Sequence, residues 1–356
     1  MVANAGEISW ELTVTQLGSD SFHQRRAASD RLLDAADGPD AADAIAAVQR
    51  GLRDRQLEIR LACQETMLAI SQRQMDQQIQ QLLNPRISAD QIDIPLWQVC
   101  AETLGHDMAA RRRFATLYQS YPSQLRLLLS DIDAAERYAR AGVDPSRLQP
   151  DDTTAWTLLL LLEAACPADH APHLIPRSCL LLSSSQLALR SNSQQDAEVT
   201  RRLVDRWLEV HEDRCPMREC LMIAMRFECH RRVAEICNRV LRDPVAPAAT
   251  HALAMLCASA INTDNHEMLL RSRINDHRMA HQWHLITDRK TKIRTQVGDV
   301  ALALLLYRHG VDPRSVGYDD LQADPLMIYR DHSLGFPDDQ SRQRARQRAL
   351  KKLALE

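Results

Sequence analysis

Aromatic residues supply only 4% of the 356 positions, and glycine occurs just ten times. A chain so poor in both, with 45% apolar residues and much Ala, Leu, Gln and Arg, favours helix and disfavours a core built of sheet. An excess of charge is also missing: 44 basic against 47 acidic side chains leave a formal net charge of -3. Nothing therefore steers the whole molecule toward nucleic acid or an anionic membrane, and any basic surface must be local. The longest largely apolar run, residues 155–165, contains Glu163 and is too short to span a bilayer, so no integral membrane segment is expected. No phosphate-binding Gly-rich loop, nucleophile elbow or paired CxxC occurs.

Nine cysteines are present, an odd number scattered where small apolar residues would serve. They read as reduced core thiols rather than a disulfide framework. Ala3-Asn4-Ala5 before Gly6 has the small-x-small form of a signal-peptidase site, without the apolar segment that should precede it. The chain as it stands reads as cytoplasmic; it would be exported, to periplasm or cell envelope, if its start lies downstream of an export signal.

What is present is organised around residues 43–70. Two amphipathic helices are expected there, joined by a short turn. Ile45, Val48 and Leu52 form one stripe, and Ile59, Ala62, Cys63, Met67 and Ile70 the next. One hairpin cannot bury both stripes, so more such units are expected along the chain. Asp54 and Arg60 are placed to tie the turn to the second helix by a charge-assisted hydrogen bond.

The order Asp54, Ile59, Arg60 and the small pair Ala62-Cys63 resembles a HEAT repeat. The earlier order LGSDSF, Arg26-Ala27-Ala28 and Leu32-Leu33 is similar to the opening of many bacterial HEAT-repeat proteins. The resemblance covers the first 70 residues and roughly 200–316. It implies an armadillo-like helical α-solenoid that recognises protein partners on its concave face.

In chain order, a helix capped by Ser19 or Ser21 is expected after Gly18, and Gly38-Pro39-Asp40 stops it. A glutamine-rich continuation ends at Asn84-Pro85. A helix with Trp97, Cys100, Ala101 and Leu104 closes at Gly105, and Arg111-Arg112-Arg113 opens the next. Arg140-Ala141-Gly142-Val143-Asp144-Pro145 recurs as Arg308-His309-Gly310-Val311-Asp312-Pro313, each reading as a helix end with left-handed glycine. A buried helix capped by Asp152 or Thr153 follows, and Pro167, Pro172 and Pro176 break what comes after. Ser191-Asn192-Ser193-Gln194-Gln195 is the best linker candidate.

Periodicity then strengthens in Val199, Leu203, Val204, Trp207 and Leu208, in Leu221, Ala224, Met225 and Phe227, and in Val233, Ile236, Cys237, Val240 and Leu241. Leu241-Arg242-Asp243 repeats the turn Leu52-Arg53-Asp54. Residues 280–297 read as a small inserted β-hairpin. An irregular Pro- and Asp-rich stretch and a basic amphipathic helix end the chain. The organisation expected is HEAT-like hairpins in residues 7–84, a helical middle in 85–190, hairpins again in 196–316, and a tail in 317–356.

Candidate chemistry is sparse. His277, His281 and His284 would share a helical face and could bind metal; on a strand, His281 and His284 point apart. Cys215, Cys220, Cys229 and Cys237 with His230 lack the short paired spacing of structural zinc sites. His211-Glu212 and His266-Glu267 resemble two of the four His-Glu motifs by which deoxyhypusine hydroxylase, a HEAT-repeat enzyme, binds two irons. The triple arginine reads as a solvated face or a phosphate grip. The five tryptophans read as core rather than as base-stacking residues of a HEAT-type DNA glycosylase. Arg342, Arg344, Arg346, Arg348, Lys351 and Lys352 give a tail helix that is either solvated or docks on an acidic partner or a membrane surface.

The expectation is thus an all-α solenoid with a β-hairpin insertion, acting as a non-enzymatic protein-binding scaffold. No catalytic residue, cofactor, metal or nucleic-acid partner is assigned. A metal-dependent enzyme of the His-Glu type is the alternative.

Overall fold

A computed structural model of the chain describes residues 9–130, 136, 140–142, 147–149, 152–165, 175–183, 194–263, 266–284 and 292–353. The described residues are mostly helical, with sixteen α-helices and two small two-stranded sheets. They form two compact units, residues 1–95 and 96–356.

The first unit holds four helices: α1 (Trp10–Gln16), α2 (Phe22–Ala35), α3 (Ala41–Gly51) and α4 (Leu57–Leu83). Helix α1 packs on α3 and α2 on α4, so two hairpins stack like on like. Their shared core is Val14, Leu17, Ala28, Leu32, Ala44, Ala47, Val48, Ile59 and Cys63. The stripe of α3 is rotated from the expected one. Val48 is buried beside Ala44, Ala47 and Gly51, while Ile45 is half-buried and Leu52, beyond the helix end, is exposed. Small residues win this face because the helices approach closely: a methyl at Gly51 would collide with Cys63 Sγ and Val14.

The turn before α4 closes as the charges suggest, through different atoms. Arg60 Nη1 donates to the main-chain oxygens of Asp54 (2.8 Å) and Arg55 (3.0 Å), while the Asp54 carboxylate accepts from Gln56 N (2.8 Å). Arg25, likewise the fourth residue of its helix, donates to the carbonyls of Ser19 (2.6 Å) and Asp20 (3.1 Å). The two turns are built alike. Replacing Arg60 by Ala should remove two charge-assisted hydrogen bonds and lower stability by about 1–2 kcal/mol in urea unfolding. A change within about 0.5 kcal/mol, as for an ordinary surface substitution, would show that the arginine does not close the turn.

The second unit begins with α5 (Pro95–Leu104), which buries Trp97, Cys100, Ala101 and Leu104 and stops at Gly105, whose φ is +94°. Then come α6 (Met108–Ser120), α7 (Pro122–Arg126), α8 (Thr153–Ala164), α9 (Ile175–Ser183) and α10 (Gln194–His211). Helices α6, α8 and α10 pack on one another, and α8 is buried on every side from Ala155 to Ala164. Asp152 is its cap, accepting from Ala155 N at 2.9 Å. Pro176 does not break a helix. It stands second in α9, where its missing N–H would have had no intrahelical partner. Pro167, Pro172 and Ser191-Asn192-Ser193 lie outside the described residues; Gln194 and Gln195 open α10.

The remaining core is a row in which α13 (Ala248–Ala260) sits between α11 (Met217–Arg226) and α15 (Val297–Arg308). Helix α12 (His230–Arg242) touches both α11 and α13; α14 (His266–Arg273) touches both α13 and α15. The expected stripes of α10 and α12 are buried in full. At the start of the α12–α13 turn Asp243 accepts from Val245 N (2.9 Å), as Asp54 does from Gln56. Gly142 and Gly310 are both left-handed, with φ of +65° and +71°. At the second, Val311 N returns to Leu306 O at 2.9 Å.

Strands β1 (Met279–His284) and β2 (Lys292–Gln296) form the expected antiparallel hairpin, pairing His281 with Thr295 and Trp283 with Ile293. The segment after Pro313 is less irregular than its composition suggests. It contains a second ladder, β3 (Ala323–Asp324) with β4 (Ile328–Tyr329), and buries Tyr318, Leu321, Leu334 and Phe336. Helix α16 (Asp339–Leu353) closes the described chain on α15.

Candidate functional site

The histidines of the hairpin do not converge. Strand geometry sends His281 inward, where its Nε2 lies 3.2 Å from Asp331 Oδ2, while His284 is exposed and His277 Nδ1 faces Gln296 Oε1 at 3.3 Å. Asp331 is the centre that no local pattern announces. Its oxygens also take Arg218 Nη1 (2.9 Å) and His332 N (2.8 Å), and the His332 ring meets Trp283 edge-on at 5.4 Å. Burial pushes the Asp331 carboxyl up, but His281 and Arg218 together hold it well below the usual carboxylate range. The result is a saturated anion that clamps strand, turn and α11 together.

The cysteines in the described residues are free and buried. Burial drives the thiols of Cys100, Cys229 and Cys237 up to about 12, which leaves them as protonated, unreactive core groups. Cys215 associates with Cys179 and Cys220 rather than with Cys229, Cys237 or His230.

Both His-Glu pairs are engaged within the fold. His211 Nε2 lies 2.9 Å from the main-chain oxygen of Glu163, and Glu212 is paired with Arg239. His266 Nδ1 is 2.6 Å from Thr263 O, while Glu267 takes Arg271 and, at 3.0 Å, Arg308. Arg239 thus lies on the Glu212 carboxylate, and Arg308 on both Glu267 and the His266 ring. Among the described residues no group of three His, Cys, Asp or Glu side chains could hold a metal ion.

The triple arginine is not one solvated face: Arg112 is exposed, Arg113 half-buried and Arg111 buried. Helix α6 starts three residues earlier, at Met108, which turns Arg111 into the core at 5% exposure. Arg113 donates to Thr157 of α8 at 3.0 Å, and Arg112 to Gln195 of α10 at 3.2 Å.

Helix α16 packs one face on its own chain. Arg342 Nε lies 3.1 Å from Asp299 Oδ2, its Nη2 donates to Arg294 O at 2.8 Å, and Ala345 and Ala349 are buried. Arg344, Arg348 and Lys351 remain on the outer face.

One buried carboxylic acid stands apart. Glu163, 1% exposed, accepts from Ser178 Oγ (2.7 Å) and Trp207 Nε1 (2.6 Å), stitching α8, α9 and α10 together. Burial raises it from 4.5 to about 7, against the pull of those two hydrogen bonds. A single acid inside an apolar run was the sequence signal for it.

A cleft of about 400 Å³ lies between α5, α8 and α10, with an apolar floor of Val99, Leu128, Leu161 and Ala164. Its charged rim is Glu102, Glu209 and Arg206, and Arg206 is tied to Glu209 at 2.8 Å. No nucleophile–base pair lines it. No described helix is long and apolar enough to cross a membrane. Compared with models of protein families, with curated proteins and with solved structures, the chain matches none.

Proposed function

We propose that the chain is a non-enzymatic protein-binding scaffold, a HEAT-like α-solenoid of the bacterial type whose stacked hairpins offer a concave recognition face. The observation that carries this reading is the pair of hairpins in the first unit. Like helices stack on like, and each second helix is tied to its turn by an arginine at its fourth position. Units joined in that way grow by addition and expose long helix faces suited to recognition. The polar groups with chemical potential support the same reading, since Asp331, Glu212 and Glu267 are spent on arginines of the fold itself.

The His-Glu enzyme alternative has a direct test. Equilibrium dialysis of the purified full chain against Fe(II) and against Zn(II) should leave less than stoichiometric metal, and His211→Ala and His266→Ala should not change it. Near-stoichiometric iron lost in either variant would overturn the scaffold reading.

A further inference from the structure

Among the described residues the hairpin of β1 and β2 is bonded along one edge and has no main-chain partner along the other, and the register says which groups stand there. Arg294 exchanges both main-chain hydrogen bonds with Phe336, each 3.0 Å, so its N–H and C=O point away from β1. In an antiparallel ladder the residue opposite such a position also points outward. That residue is Gln282, paired with Arg294, and His284, paired with Lys292, follows two positions on. Trp283 and His281, paired with Ile293 and Thr295, face β2 with their main-chain groups. Gln282 and His284 are exposed, and among the described residues no main-chain group outside the ladder bonds to either.

Open edges invite another strand, and folds that do not use them cover them, bend them or end them early. This one is flanked by charge of a single sign. Residues 277–284 and 292–296 hold no acid, while Lys292 and Arg294 lie on the outer face beside Gln282 and His284. The inner face is already committed to Asp331 and Ile293.

We infer that β1 is a docking edge for an extended, acidic segment of a partner protein, which adds a third strand through the main chain of Gln282 and His284. Affinity comes from the main-chain hydrogen bonds. Selectivity comes from acidic side chains on the outer face, within reach of His284, Lys292 and Arg294. The inference rests on the protein-binding reading and assigns one surface within it.

The probe is an eight-residue peptide of alternating Glu and Val, blocked at both ends, titrated into the full chain, with an alternating Lys and Val peptide as control. The acidic peptide should bind saturably, weaken as salt is raised, and slow hydrogen exchange at the amides of Gln282 and His284. Gln282→Pro removes the outward N–H at a position where an edge strand tolerates proline, and should weaken binding about tenfold. The double variant His284→Glu with Lys292→Glu changes exposed side chains only and should weaken it at least as much.

Equal binding by all three proteins, equal binding of the basic peptide, or a peptide complex with unprotected Gln282 and His284 amides would each overturn the proposal. So would a dimer of the free chain in which those amides are already protected, because the edge would then belong to a second copy. A native partner captured equally by the wild type and by Gln282→Pro would leave the scaffold reading standing and remove the edge from it.

Discussion

Glu163→Gln is expected to stabilise the protein at pH 8 by up to about 3 kcal/mol and to change it little near pH 4.5. The carboxyl of Glu163 is raised from 4.5 to about 7 in the fold, chiefly by burial. Below pH 4.5 it is protonated in both folded and unfolded chains and has no effect on stability. Between about 4.5 and 7 the unfolded chain releases the proton first, so stability falls as pH rises, and above 7 the full loss is in place. Glutamine keeps the shape, accepts from Trp207 Nε1 through its oxygen and donates to Ser178 Oγ through its amide, without a charge to bury.

His211 acts in the opposite sense and is the same in both proteins. Burial lowers its pKa, so its contribution is lost as pH falls. The difference between wild type and variant therefore isolates Glu163. Glu163→Leu separates desolvation from hydrogen bonding. It also removes the charge but strands the Trp207 N–H and the Ser178 hydroxyl, at about 1–3 kcal/mol for each buried group left unsatisfied. Urea unfolding of the three proteins from pH 4.5 to 8 decides the matter. A Gln variant with no gain at pH 8 would mean that the carboxylate is not desolvated as its surroundings imply.

Arg342→Met is expected to cost about 3–5 kcal/mol and to release α16. Arg342 and Asp299 are 11% and 7% exposed, and the arginine pairs with that carboxylate at 3.1 Å, with a weaker pull from Arg346. Burial already drives Asp299 up to about 6 despite Arg342, so its ionised form has little reserve once the arginine is gone. Asp299 also accepts from Gln296 N at 2.8 Å, and its main-chain oxygen takes the Tyr318 hydroxyl at 2.8 Å. Loss of the arginine drives that carboxyl higher still, and the cost of charging or protonating it loosens the start of α15 as well as α16.

Adding Asp299→Asn to Arg342→Met should recover most of the loss, because the amide oxygen still accepts from Gln296 N and no charge is buried. Limited proteolysis of residues 338–353 reports the release of α16, and urea unfolding the energy. Equal stability of the single and double variants would show that α16 is held by Ala345 and Ala349 rather than by the ion pair.

The helices with one buried face were legible because their period shows in the sequence. Val233, Ile236, Cys237, Val240 and Leu241 are the clearest case, and every one of them is buried. The hairpin was legible for the same reason, since period two gives way to helix at Val297. Two-residue strands such as β3 and β4 have no period to read.

Polar centres escaped notice because their partners lie far along the chain. Glu163 meets Trp207 across 44 residues, Asp331 meets Arg218 across 113, and Arg342 meets Asp299 across 43. Charge runs misled in the same way. In Arg111-Arg112-Arg113 the helix starting at Met108 buries the first, leaves the second exposed beside Gln195 and sets the third on Thr157. The turn at Asp54 lies between these cases: the right residues were visible, but carbonyl oxygens rather than the carboxylate accept from Arg60.

The most direct measurement of the account's central claim is capture of the tagged full chain from its own cells, with mass spectrometry of co-purifying proteins and metal analysis of the same sample. A stoichiometric protein partner and no stoichiometric metal is the predicted result. A partner-free chain carrying near-stoichiometric iron or zinc would contradict it and return the search to catalysis.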